Sequence, residues 1–282
     1  MIDQHDLAPH IQTNVRAALD EDVRDGDLTA QLIPEHTLAH ASVITREQAV
    51  LCGTAWFEAC FKGLDPKCKI KWLAHDGDNI EPGQTLCELR GAARALLSAE
   101  RPALNFLQTL SATASATRHY VDAIDGFKAH IMDTRKTLPG LRMAQKYAVH
   151  IGGGHNQRIG LFDGILIKEN HIIAAGGIAP ALQQADRLAP ADATVQIEVE
   201  NLEELHSALD AGAKLILLDN FTLEDMRAAV RISAGRAELE ASGGVNLETV
   251  RAIAATGVDR ISIGNLTKDV QAVDLSMRFH SA

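Results

Sequence analysis

From residue 130 onward the chain repeats one pattern: a short apolar run, a polar or glycine residue at its end, then a stretch with helical apolar spacing. The runs fall at 130–133, 164–168, 195–199, 215–219, 238–242 and 260–264. Short apolar runs alternating with helical stretches predict parallel βα units. Asn201-Leu202-Glu203-Glu204-Leu205 and Asn246-Leu247-Glu248-Thr249-Val250 each open with an Asn suited to cap a helix. Asn201, Gly212 and Asn220 recur at one constant offset as Asn246, Gly257 and Asn265, so a βα module is repeated.

Two folds satisfy this pattern, an open doubly wound sheet and a barrel. The strand ends favour the barrel. Thr134-Arg135-Lys136, Lys168-Glu169-Asn170, Glu198, Asp219-Asn220, Ser242-Gly243-Gly244 and Gly264-Asn265 close the successive runs. In a barrel all these ends converge on one mouth. An open sheet would use only the strands beside its switch point.

The first half is patterned differently. A helical stretch from Ile11 to Leu19 leads into an apolar run at 41–45, and Asp76-Gly77 and Pro82-Gly83 mark turns between further short strands. This predicts a small α+β domain. A lipoyl-type carrier uses similar hairpins but presents a lysine at a hairpin tip, which is lacking here. Residues 96–124 predict one long helix, with Pro102 near its start. Ser111 to Thr117 supply small side chains for close packing in the segment joining the domains. The expected organisation is an N-terminal α+β domain over 1–115, with the tail 270–282 packing back on it, and an α/β barrel domain over 116–269.

Charge and composition remove several function classes. The net charge of −10 argues against a nucleic-acid surface, which needs a basic face. It does not argue against a small anionic ligand, because charges more than a Debye length of about 8 Å away are largely screened. No apolar run reaches the length of about 18 residues that a membrane span needs, and Met1 to Asp6 do not resemble a secretory signal. Cys52, Cys60, Cys68 and Cys87 show neither CxxC pairing nor clustered His partners. They are expected to be reduced structural thiols, consistent with a cytoplasmic location.

The cations gather locally. Arg135, Lys136, Arg142, Lys146, Arg158 and Lys168 lie between 134 and 168, with Asp163 the only carboxylate in that stretch. Arg135, Lys136 and Lys168 directly follow strands, which aims them at the mouth. Arg142 and Lys146, one turn apart, fit either this cluster or a solvated helix face. Guanidinium forks match carboxylates and phosphates, and ammonium groups act as point charges, so the mixed set suits a multiply anionic, phosphate-bearing ligand. Gly152-Gly153-Gly154 fits either backbone contact with an anion or a plain turn. Ser242-Gly243-Gly244 and Gly264-Asn265 occupy the usual phosphate site of barrels. Glu198 and Asp219 suit ribose hydroxyls or Mg²⁺, or structural pairing with Lys168 or Arg158. His155 and His171 lack a spaced partner and are expected to pack or hydrogen-bond.

The stretch Asp133-Thr134-Arg135-Lys136-Thr137-Leu138-Pro139-Gly140-Leu141-Arg142 closely resembles the quinolinate phosphoribosyltransferase family. So do Gln145-Lys146-Tyr147-Ala148-Val149, Asn156, Arg158, Leu166-Ile167-Lys168-Glu169-Asn170-His171 and Glu100-Arg101-Pro102-Ala103-Leu104-Asn105. The resemblance implies an α+β domain packed on an incomplete barrel, in a homodimer whose active sites are shared. It implies that quinolinate and phosphoribosyl pyrophosphate, with Mg²⁺, give nicotinate mononucleotide, pyrophosphate and CO₂.

By position, Arg135, Gln157, Arg158 and Lys168, with Arg101 of the neighbouring subunit, would hold the quinolinate carboxylates. Thr134, Lys136, Glu198, Asp219, Ser242, Gly243, Gly244, Ile263, Gly264, Asn265 and Lys268 would line the rest of the substrate site. Lys136, Glu198 and Asp219 would be catalytic, and the two carboxylates would reach Mg²⁺ largely through substrate pyrophosphate. Many members carry His where this chain has Gln157, and some carry His at Lys268. Gln157 keeps hydrogen bonding without charge. A phosphoribosyltransferase for a monocarboxylate and a non-catalytic sensor of either substrate are the competing readings.

Overall fold

The computed structural model describes residues 4–280. It forms two compact units, the first comprising residues up to 118, 137–153 and those from 269 on, the second 119–136 and 154–268. The division is therefore interleaved: the segment 137–153, assigned by sequence to the barrel half, groups with the first unit.

The first unit is built on an antiparallel sheet of β1 (Leu38–Thr45), β3 (Lys69–Trp72), β5 (Thr85–Ala92) and β12 (Leu275–His280), in the order β12-β1-β5-β3. Its β12 pairs with β1 from Thr45↔Leu275 to His40↔His280. A two-stranded ribbon of β2 (Ala49–Val50) and β4 (Asn79–Ile80) lies apart from it. Gly77 and Gly83 take φ of 98° and 85°, which the expected turns require of glycine.

Its helices are α1 (Gln4–Asp22), α2 (Thr54–Leu64), α3 (Ala93–Ala123) and α4 (Arg142–Ile151). Because α3 starts at Ala93, it runs through Pro102 rather than beginning near it. Trp56, Phe57 and Phe61 of α2 and Leu104, Leu107 and Leu110 of α3 are at most 1% exposed and fill the core. The small residues of α3 do more than pack closely: Ser115 Oγ accepts the Val50 N–H at 2.7 Å and Ser111 Oγ the Cys52 N–H at 2.9 Å. Those hydroxyls satisfy backbone groups that would otherwise be buried without partners.

Lys146 of α4 is completely buried, which removes the solvated basic face as a reading for it. In the triple glycine, Gly152 is required by packing and Gly153 by its φ of 92°. A Cβ on Gly152 would lie 2.5 Å from the Ala114 carbonyl oxygen, so α4 ends in close contact with α3.

The second unit is a parallel sheet of β6 (His130–Met132), β7 (Gly164–Ile167), β8 (Thr194–Val199), β9 (Leu215–Asp219), β10 (Glu238–Ser242) and β11 (Arg260–Ser262). Its order is β6-β11-β10-β9-β8-β7. Six helices follow the strands: α5 (Glu169–Ala175), α6 (Ile178–Leu188), α7 (Leu202–Asp210), α8 (Leu223–Ser233), α9 (Val250–Ala254) and α10 (Asn265–Lys268). The repeated module is real in three dimensions. Asn201 accepts the Glu204 N–H and Asn246 the Thr249 N–H, while Gly212 and Gly257 take φ of 90° and 92°.

The edge strands β6 and β7 do not pair among the described residues, so the barrel is incomplete, as expected. A parallel bridge from Met132 to His155 extends the β6 edge. The sheet nonetheless curls, because residues in the C-terminal parts of β7, β8, β9, β10 and β11, or following β6 and β7, line a single cavity.

Candidate active site

The cavity measures about 420 Å³ and lies at the C-terminal ends of the strands. A smaller one of about 280 Å³ includes Lys128, Glu238 and Asp259. There Lys128 pairs with Asp259, and Arg260 pairs with Glu238 nearby, exposed ion pairs of the kind that contribute little to stability.

Thr134, Arg135 and Lys136 enter the larger cavity directly after β6. The turn is fixed locally, since Thr134 Oγ1 accepts the Lys136 N–H at 3.0 Å and the Lys136 carbonyl accepts from Thr267 Oγ1 at 2.7 Å. Gln157 and Arg158 enter from the segment beyond β6. Fully buried Asp133 anchors them, accepting the Gln157 N–H and the Asn156 side-chain amide, each at 2.8 Å. Asp163 closes the following loop on the N–H groups of Ile159 and Gly160.

Arg158 donates to the Gly164 carbonyl at 2.8 Å. Burial, and then the charge of Arg135, lower its pKa from the ordinary guanidinium value. Cations held this close gain from an anion between them. Lys168 follows β7 and pairs with Glu198 at the end of β8, and Asp219 ends β9. Leu166 and Leu217 give the polar cavity apolar walls, suited to a planar ring.

Ser242 lines the cavity, and the chain turns sharply after it through Gly243 and Gly244, with φ of 102° and 58°. A Cβ on Gly243 would meet Asn220 Oδ1 at 2.1 Å, and Asn220 donates in turn to Asp219 at 2.9 Å. Gly264 lies against the Lys136 side chain, and Asn265 and Lys268 bound α10. Ile263 is buried and its N–H is bonded to the Met132 carbonyl. Arg101 is exposed on α3, in the first unit.

His155 and His171 act structurally. His155 stacks on His130 with ring centroids 4.3 Å apart, and His171 Nδ1 accepts the Lys168 N–H at the start of α5. None of the three glycines 152–154 lines the cavity.

Sequence reasoning missed Glu240. It lines the cavity from β10 yet is fully buried, accepting from the Gln157 and Gln196 side-chain amides. Burial pushes its pKa up. A Glu between Leu and Ala in a short buried strand was the available signal.

Among the described residues no group of three or more His, Cys, Asp or Glu could enclose a metal, and no helix is long and apolar enough to cross a membrane. Two family models match the chain: the quinolinate phosphoribosyl transferase N-terminal domain over 27–111 and its C-terminal domain over 113–278. The chain is 42% identical over 272 residues to a carboxylating nicotinate-nucleotide pyrophosphorylase of Mycobacterium leprae, covering 93% of this chain and 95% of that protein. It is 38% identical over 284 residues to a decarboxylating quinolinate phosphoribosyltransferase of Nicotiana tabacum, covering 94% and 81%. The solved structure of the nicotinate-nucleotide pyrophosphorylase from Francisella tularensis superposes with a TM-score of 0.93 at 46% identity, covering 96% of each chain.

Proposed function

The chain belongs to the quinolinate phosphoribosyltransferase family, and from that premise we propose how its cavity divides the work. The activity is pentosyl transfer from phosphoribosyl pyrophosphate to quinolinate with decarboxylation, giving nicotinate mononucleotide, pyrophosphate and CO₂ for NAD biosynthesis.

The supporting observation is one cavity lined by Arg135, Lys136, Arg158 and Lys168 together with Glu198 and Asp219. In this reading Arg135, Arg158 and Lys168, with Gln157 and Leu166, serve the acceptor, and Lys136, Glu198, Asp219 and Ser242 serve the donor, Lys168 and Glu198 pairing where the two meet. The acceptor side takes the pyridine ring and its two carboxylates. A monocarboxylate would leave cations without partners. On the donor side, Lys136 stabilises the charge that builds on departing pyrophosphate, while Glu198 and Asp219 orient the ribose and face the positive charge developing at C1. Pyrophosphate leaves with the electron pair of the C1–O bond, and the ring nitrogen, held in line, supplies the pair for the new C1–N bond. The resulting pyridinium withdraws electrons from the C2–carboxylate bond. CO₂ departs, its bonding pair remains on C2, and C2 takes a proton.

The donor set fits Mg²⁺ bound with substrate. Glu198 and Asp219 offer hard oxygen ligands, and two carboxylates completed by phosphate oxygens is the usual Mg²⁺ arrangement. When bound, the ion supplies charge neutralisation for the leaving pyrophosphate.

The active species in this reading is a homodimer in which Arg101 of one subunit completes the acceptor side of the other. Leu28, Leu32 and Leu38 of the first unit are 83%, 84% and 78% exposed, apolar surface that a second subunit would cover. The cytoplasm is the compartment proposed, in keeping with four buried, unpaired thiols.

The test is formation of nicotinate mononucleotide and pyrophosphate from quinolinate, with and without Mg²⁺, beside the same assay on nicotinate. Product dependent on quinolinate and Mg²⁺ is expected. Faster turnover of nicotinate, or binding without pyrophosphate release, would overturn the assignment.

A further inference from the structure

We propose that Glu240 is a positioning residue for the acceptor side of the cavity, clamping the Gln157 amide from beneath so that the wall of the quinolinate subsite is held in one orientation. This rests on the functional reading above. The interior of a β/α barrel is normally filled by layers of branched apolar side chains. Here the layer beneath the mouth is polar: Gln157, Gln196, Glu240 and Ser262 meet across it.

Gln157 is fixed at both ends. Its N–H is bound by Asp133 and its side-chain Nε2 donates to Glu240 Oε1. The other Glu240 oxygen accepts from Gln196 Nε2 at 3.0 Å, so the carboxyl cannot swing without breaking a second bond. Gln157 immediately precedes Arg158 and lines the cavity with Arg135 and Lys168. The clamp therefore sets a neutral polar group among the acceptor-side cations.

The charge state of Glu240 matters because its ligand is a dianion. A carboxylate below the cavity would repel quinolinate, whereas a neutral acid does not. The groups facing it act in both directions. On β11 Arg260 is directly across from it, and from above Arg135, Lys136, Arg158 and Lys168 favour the ionised form. Glu198 on β8 and Asp219 on β9 oppose ionisation, while its direct neighbour on β9 is the uncharged Leu217. Burial is the largest influence and pushes its pKa up, while the hydrogen bonds with Gln196, Ser262 and Gln157 act against that shift.

The experiment compares wild type, Glu240→Gln and Glu240→Ala as full-length proteins, measuring kcat and both KM values from about pH 6 to about pH 9. Glu240→Gln keeps the side-chain length and one accepting oxygen, and is expected to raise the quinolinate KM less than Glu240→Ala does. Glu240→Ala is expected to raise the quinolinate KM about tenfold or more, with the phosphoribosyl pyrophosphate KM within about twofold. If Glu240→Ala does not fold, Glu240→Asp takes its place, being too short to reach both amides and expected to show the same selective rise.

Equal changes in both KM values, or no change in either, would overturn the proposal. Failure of the functional reading is distinguishable, because there the wild-type protein itself would not turn over quinolinate.

Discussion

Lys136 crosses directly over Gly264: a Cβ placed on Gly264 would lie 2.9 Å from Lys136 Cδ. No real Cβ tolerates that contact, so the glycine is what lets the lysine lie along the mouth. Its backbone is independently held by Thr134 and Thr267, so the side chain would have to yield. Gly264→Ala is expected to displace the ammonium and lower kcat/KM about tenfold or more, about 1.4 kcal/mol of barrier. Lys136→Ala should cost at least as much. Steady-state kinetics checks both, and an unchanged kcat/KM in Lys136→Ala would remove it from the essential contacts.

Gly243→Ala is expected to be worse than a local strain at positive φ. The added methyl would meet Asn220 Oδ1 at 2.1 Å, and Asn220 itself sits at φ 56° and hydrogen-bonds Asp219. Strain at such a position costs about 1–3 kcal/mol. A lowered melting temperature together with a raised phosphoribosyl pyrophosphate KM is the expected result, and a change in melting temperature alone would separate Asp219 from this turn.

Mixing subunits tests the shared site. Arg101→Ala and Lys168→Ala homodimers should each be inactive, and co-incubation should restore activity at one of the two sites in each mixed dimer. Rescue is measured after subunit exchange has been verified with labelled chains. Exchange without rescue would place Arg101 outside the partner's site.

The four cysteines should be inert in the native protein. Burial pushes Cys60 up to about 12 and Cys68 up to about 11, and raises Cys52 and Cys87 well above the ordinary thiol value. The thiolate is the reactive form, so at neutral pH these groups are almost entirely protonated as well as enclosed. A colorimetric thiol reagent should detect none of them before unfolding and all four after it. Rapid native labelling of any one would show local opening around it.

Glu240 also makes a stability prediction with a definite sign. Its folded pKa lies above its unfolded value, so between the two the folded state holds more protons and stability falls as pH rises. Glu240→Gln removes that loss. Thermal unfolding should find the stability of Glu240→Gln relative to wild type rising with pH above the usual carboxylate range, and a difference independent of pH would contradict the raised pKa.

Much of the molecule was legible beforehand because its cues are local. The six parallel strands, the capping Asn201 and the glycines at turns follow from short-range backbone rules, whereas Asn246 closes a turn ahead of α9 rather than capping it. The strand-end position of Arg135, Lys136, Lys168, Glu198 and Asp219 followed from the strand pattern, and the structure gathers them at one cavity. Arg142 and Lys146 were ambiguous for the opposite reason. Helical spacing assigns them a common side of α4 but not what covers it, and Lys146 is buried in the first unit. The glycines 152–154 carried the same ambiguity, settled by the approach of Gly152 to Ala114.

The sequence by itself determined the elements, the family and the chemical types at the strand ends, since each is written in neighbouring residues. Only the tertiary structure decided which distant residues meet. Gln157 and Glu240 are 83 positions apart, and their contact depends on the order β6-β11-β10 and on the curl that turns both side chains inward. Strand order is fixed by packing of the whole sheet, and burial of a carboxyl by everything that surrounds it. Neither quantity is local, which is why the clamp beneath the cavity appeared only in three dimensions.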